Sequence, residues 1–187
     1  MKRLYVMVLS TLWAPALAAQ GTVVLPEPPL DSARITLRDD LLRFRDTLNS
    51  IDAAAARLQR DFREASTAAL LSRARVMSDA CARSARNLPL THKAVLAADT
   101  PDKRRRKSRG EMVQALDRLR GVLSRCRTDF EAMARPGEGE TVRGYGNARA
   151  IPVQTALRRY ERVLASFFSA MGIKVSPLGA PVRPLAS

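Results

Sequence analysis

Hydrophobic residues recur from residue 37 onward in steps of four and three: Leu37, Leu41, Phe44, Leu48, Ile51, Ala55, Leu58 and Phe62 follow without a miss. At 3.6 residues per turn, this spacing sets all of those side chains on one narrow face of an α-helix. Held near a 3.5-residue period, it is the seam of a coiled coil or a long antiparallel bundle. Past Phe62 the stripe runs through Ser66, Leu70, Ala74, Met77 and Cys81. Its successive steps of four form a stutter, which relaxes supercoiling without ending a helix. The rhythm resumes at Ala85, Leu88, His92 and Val95. No Pro or Gly interrupts 33–88, and Asp31 or Ser32 suits the N-cap. The pattern predicts one helix over about 32–98, kinked near Pro89, whose ring removes an amide from the ladder.

Two further stripes follow. Met112, Leu116, Leu119, Leu123, Cys126, Phe130 and Met133 predict a helix over about 109–135. Ser108 and Glu111 have capping-box spacing at its start, and Pro136-Gly137 ends it. Val153, Leu157, Tyr160, Leu164, Phe167 and Met171 predict a last helix over about 152–171, opened by Pro152 and stopped by Gly172. Gly137, Gly139, Gly144 and Gly146 between them read as a flexible connection. The expected fold is therefore all-α: a long-helix antiparallel hairpin within a coiled-coil-like bundle of three main helices, over residues 32–172, with disordered termini. The third helix packs either on the hairpin or along the N-terminal half of the first. In the first arrangement Leu37, Leu41, Phe44, Leu48, Ile51, Leu58 and Phe62 remain as an interaction stripe for a second copy or another protein.

The two cysteines sharpen this picture. Cys81 and Cys126 both occupy seam positions. In an oxidising compartment, two such cysteines form one disulfide. In an antiparallel hairpin so tied, facing residues carry numbers that add to 207, as these two do. The rule sets Leu88 against Leu119, Val95 against Met112 and Met77 against Phe130, and puts the tip between residues 103 and 104. The oxidising compartment is itself expected. Met1–Ala19 reads as a signal peptide, with Lys2 and Arg3, an apolar run broken at Pro15, and cleavage near Ala18/Ala19. A periplasmic or secreted protein follows. Residues 20–31, with Pro26, Pro28 and Pro29, form an extended lead-in, and 173–187, with Pro177, Pro181 and Pro184, form a tail.

Charge adds one site. Without Lys2 and Arg3 the net charge falls from +14 to +12. The excess is concentrated at residues 89–110 and 153–187 rather than spread along the chain. Lys103, Arg104, Arg105, Arg106 and Lys107 form a basic pentapeptide at the expected hairpin tip, a candidate anion-binding site. Candidate catalytic chemistry is sparse. His92 is the only histidine, and it sits on the seam. Asp39-Asp40 and Glu138/Glu140 are carboxylate pairs without a local reason for a raised pKa. Gly137-x-Gly139 and Gly144-x-Gly146 lack a preceding strand and the fingerprint spacing of a dinucleotide site. No cofactor, metal or sequence-specific nucleic acid is expected, and no enzymatic activity. The expected role is that of an exported interaction protein, with helical surfaces for protein contact or self-association and a basic tip for an anionic membrane surface or other polyanion. The alternative is a periplasmic holdase that binds unfolded clients through its apolar stripe.

Overall fold

A computed structural model describes residues 31–60 and 63–175. The leader, the lead-in up to Leu30, Asp61, Phe62 and the tail from Ser176 lie outside the described residues. Among the described residues there are four α-helices: α1 (Ser32–Gln59), α2 (Thr67–Ala97), α3 (Lys103–Met133) and α4 (Gly139–Met171). Each packs against its neighbours in an up-down-up-down bundle, α1 between α2 and α4, and α3 opposite, with α2 and α4 also meeting across the diagonal. Cross-helix contacts fix the antiparallel directions. Ser84 Oγ donates to Thr47 O at 3.2 Å between α2 and α1, and Ser78 Oγ to Arg127 O at 3.2 Å between α2 and α3. Between α1 and α4, the rings of Phe44 and Tyr160 meet edge to face at 5.8 Å.

The main departure from the sequence expectation is the helix over 32–98, which is two helices. Arg60 turns extended at the end of α1, and Ser66 caps α2, its hydroxyl accepting from the Ala69 amide at 3.3 Å. The stutter at Phe62–Ser66–Leu70 therefore marks a reversal of the chain rather than a relaxed supercoil. Burial explains why reversal wins. An unbroken helix over 32–98 would be roughly 100 Å long at 1.5 Å per residue and would leave much of its stripe bare. Folding back lays the first half of the stripe against the second. Leu37, Leu41, Phe44, Leu48, Ile51 and Leu58 are all buried, at 6% exposure or less, in one core with Leu70, Met77, Leu88 and Val95. Arginines donate to carbonyls on either side of the turn. Arg73 donates to Arg60 O at 2.6 Å, and Arg143 to Arg63 O at 2.6 Å and to Ala65 O at 2.8 Å.

Two other boundaries move. α4 begins at Gly139, not at Pro152, so the glycine-rich stretch is helical rather than a flexible connection. Its buried positions, Gly139, Val142, Gly146 and Ala150, run in the same three-and-four rhythm into Val153 and Leu157. Gly139 is at a close approach, whereas Gly146 makes only ordinary packing contact. A Cβ on Gly139 would run into the Thr67 side chain, and one on Gly146 would sit 3.5 Å from a Leu58 methyl. α2 passes through Pro89 and α4 through Pro152 without ending. At the far end Gly172 adopts φ 69° and closes α4, with the Ile173 amide bonded to Phe168 O at 2.8 Å. Ile173 and Val175, in the expected tail, pack on the core.

Cys81 and Cys126 are bonded, with Cα atoms 6.1 Å apart and a sequence separation of 45. In the chain-entropy treatment, closing a loop of that length stabilises by about 4 kcal/mol. Replacing both with Ala should therefore lower the melting temperature by about 10 °C, measured by circular dichroism. A second substitution tests the turn. Arg143→Met removes charge-assisted hydrogen bonds, worth about 2 kcal/mol. Amide exchange should speed up across residues 63–70 and stay unchanged around Cys126.

Candidate functional site

One end of the bundle gathers the start of α1, the end of α2, the start of α3 and the end of α4. The basic pentapeptide lies there, but not as a loop. The α2–α3 connection spans residues 98–102, and Lys103–Lys107 form the first helical residues of α3. Asp102 is the N-cap, its Oδ1 accepting from the Arg105 amide at 2.8 Å. Ser108, read from the sequence as part of a capping box, is instead buried inside α3. The helix starts earlier because Asp102 is a better cap than the sequence reading allowed, and because five long basic side chains are good helix formers.

The cations are poorly neutralised within the chain. Arg105 lies 3.4 Å from Asp102, and Lys107 lies 3.8 Å from Glu111 in an exposed pair. Such exposed pairs contribute little. Arg106 donates to Pro101 O at 3.2 Å. Lys103 and Arg104 make no ion pair among the described residues. Lys103, Arg104, Arg106 and Lys107 are exposed, and Arg105 is half-buried. Arg104 and Lys107 border an open groove of about 480 Å³ between α3 and α4, shared with Glu111, Ser166 and Ser169. The first turn of α3 contains no acidic residue. The cations of the first turn, Lys103–Arg106, thus crowd the positive end of a helix dipole, where each costs about 0.3–1 kcal/mol rather than gaining it. An oxyanion at this end would meet both the side-chain charge and the helix terminus.

Arg109, just past the pentapeptide, was not singled out by the sequence. It donates to Leu96 O at 3.3 Å and Ala98 O at 3.2 Å, tying the start of α3 to the end of α2. Nothing in its local sequence distinguishes it from its basic neighbours; only the register across the hairpin does. His92 is mostly buried, its Nε2 3.4 Å from Asp117 Oδ1. The carboxylate pairs are engaged one by one: Asp39 with Arg38 at 2.8 Å, Asp40 with Arg43 at 2.5 Å, Glu138 accepting from Thr141 at 2.5 Å, and Glu140 with Arg143 at 3.3 Å. Among the described residues no three His, Cys, Asp or Glu side chains converge in a way that could hold a metal ion. No helix among them is long and apolar enough to cross a membrane. Compared with known proteins, the chain matches no family model, no curated protein and no solved structure.

The titratable group most changed by the fold is away from the basic end. Tyr160 on α4 is 1% exposed, and its hydroxyl has no hydrogen-bond partner among the described residues. Burial pushes its pKa well above the ordinary 10.0; nearby Arg45 opposes that shift and Glu161 adds to it. The unfolded tyrosine can ionise from about pH 10, whereas the buried one cannot. Its contribution to stability is therefore whole below that pH and is lost as the pH climbs above it. Tyr160→Phe should remove this alkaline loss. At neutral pH it should raise stability by about 1 kcal/mol, because an unpartnered buried hydroxyl goes with it. Denaturant titrations of both proteins on either side of that pH check the two effects.

Proposed function

We propose that this chain is an exported, non-enzymatic helical interaction protein whose basic end rests on an anionic surface. The observation that carries this reading is the placement of Lys103–Lys107 at the N-terminus of α3, four of the five exposed, at the tip of the bundle. That arrangement works against the stability of α3, and an external anion is what would offset it. A membrane rich in anionic headgroups presents such charge as a plane, which suits a blunt bundle end better than a closed cavity would. Protein contact falls to the outer faces, where Leu90 and Leu96 of α2 are 73% and 51% exposed. The stripe from Leu37 to Leu58, expected from the sequence to serve as the interaction surface, is the inner face of α1 and is covered by its own chain. That burial weighs against the holdase alternative, which needs the stripe open.

Cosedimentation with vesicles, with and without anionic lipid, tests the proposal across a salt series. The comparison protein carries Gln at all of positions 103–107. At about 1 kcal/mol per cation near the surface, the five changes should weaken binding to anionic vesicles by about three to four orders of magnitude. Wild-type binding should also fall steeply as salt rises. The Gln variant should keep its helix content and melt no earlier than wild type, since it relieves the dipole conflict. Equal vesicle binding by the two proteins would overturn the proposal.

A further inference from the structure

Two adjoining cavities of about 500 and 710 Å³ open on the outer groove between α1 and α2. Both are bounded by Asp40, Ala94 and Ala97; Leu37 and Met171 line the smaller, and Phe44 and Leu90 the larger. Together they form one trough, from the bundle end marked by Asp31 and Asp99 to Thr47 on α1. At 1.5 Å per helical residue it is about 24 Å long. Small side chains make it: beside the alanines at 94 and 97, Leu90 stands 73% exposed. A contiguous apolar recess of this kind marks a place that another surface covers. Its rim departs from the charge of the whole. The half nearer the bundle end has the carboxylates of Asp31, Asp40 and Asp99 against one guanidinium, of Arg34, in a chain of net charge +14.

The chain supplies a segment of matching chemistry at the right place. α4 ends beside the trough: Met171 lines it, Gly172 turns the chain, and Ile173 and Val175 pack on the core. The sequence then continues over 176–187 as SPLGAPVRPLAS. A proline followed by a branched apolar residue recurs there, at Pro177-Leu178, Pro181-Val182 and Pro184-Leu185. Proline favours the polyproline II helix, which rises about 3.1 Å per residue. Pro181-Val182-Arg183-Pro184 has the PxxP spacing with which such helices dock in apolar grooves. Arg183 is the one charged side chain of 176–187, and its sign is opposite to that of the rim. Reach agrees with charge. Arg183 is eight residues past Val175, about 25 Å in this geometry. Asp40 is nine residues along α1 from Asp31, about 14 Å from the bundle end. The difference, about 11 Å, is close to the interhelix spacing of about 8–10 Å that separates α4 from the trough. The segment before Asp31 also reaches this end, but its only charged side chain over 20–30 is Glu27, which the carboxylates repel.

We propose that the α1–α2 trough is the docking site for residues 176–187 of the same chain, which lie in it as a polyproline II strand. Leu178, Val182 and Leu185 rest on Ala94, Ala97 and Leu90, and Arg183 meets Asp40. Prolines suit such a seat because they carry no amide to be stripped of water. Docking within one chain also spares the freedom that two separate molecules lose on binding. With the segment in place Leu90 is covered, and protein contact through that part of α2 requires the segment to leave. Leu96, outside both cavities, stays open.

Methyl NMR of the whole chain, with a nitroxide attached through Ser187→Cys, tests this. The label should broaden the Leu90 and Ala94 methyl signals and leave that of Ala132, exposed near the far end of α3, sharp. Val182→Asp and, separately, Arg183→Glu should restore most of the lost intensity. Both positions lie outside the four helices, so the signals of α3 should stay where they were. A mixture of nitroxide-bearing chains without isotope and isotope-labelled chains without nitroxide should show a sharp Leu90 signal. No broadening at Leu90, broadening that survives both substitutions, or broadening in the mixture (the mark of a second copy's segment in the trough) would each overturn the proposal.

Discussion

A chain that doubles back without glycine leaves backbone carbonyls pointing out of the helix ends, and those groups must find donors. Here the donors are guanidinium groups from elsewhere in the bundle: Arg73 on Arg60 O, and Arg143 on Arg63 O and Ala65 O. Everything else in the fold follows from that reversal. It converts one long apolar stripe into two facing ones, makes α1 antiparallel to α2, and brings α4 into the groove that α1 and α3 leave. It also works in both directions, since Arg143 belongs to α4, whose start lies against Thr67 at a distance that only the absence of a side chain on Gly139 allows. The turn and the start of α4 are therefore one cooperative unit, although they are some 80 residues apart in sequence.

That coupling explains what could be read from the sequence and what could not. The apolar stripes of α1, α2, α3 and the second half of α4 were legible, because large apolar side chains at helical spacing mark one face of a helix. The N-cap, placed at Asp31 or Ser32 and found at Asp31, was legible from local sequence, as were the stop at Gly172 and the pairing of Cys81 with Cys126. The reversal after Gln59 was not. Its usual markers, Gly and Pro, are absent, and its stabilising donors lie in α4. The start of α4 was missed because three of its first four buried positions, Gly139, Gly146 and Ala150, are too small to register as a hydrophobic stripe, which leaves Val142 on its own. The basic pentapeptide stood out by composition, but its state as helix rather than loop depended on Asp102 acting as cap.

The bundle is also mechanically uneven. α2 and α3 are joined covalently near their middles, and Arg109 fastens the end of one to the start of the other. α1 and α4 meet through amides, one aromatic contact and a solvent-reaching cleft. Hydrogen bonds of this kind contribute about 1 kcal/mol each, against several for a disulfide. Local opening should begin on the α1 side, while the stapled pair and the basic end it supports stay fixed.

How far such opening can go decides between the two functional classes. Displaying the α1 stripe to a client means withdrawing Leu37, Leu41, Phe44, Leu48, Ile51 and Leu58 from the core, where each is nearly inaccessible. At about 1.5–3 kcal/mol per large apolar side chain, exposing six of them costs about 9–18 kcal/mol. A domain of this size has only about 5–15 kcal/mol of total stability. Opening the stripe is thus equivalent to unfolding the domain, and a client would have to supply all of that free energy on binding. Using the basic end needs no rearrangement, because its cations are already outside and already crowded. That difference in cost favours the proposed attachment through α3 over the holdase alternative.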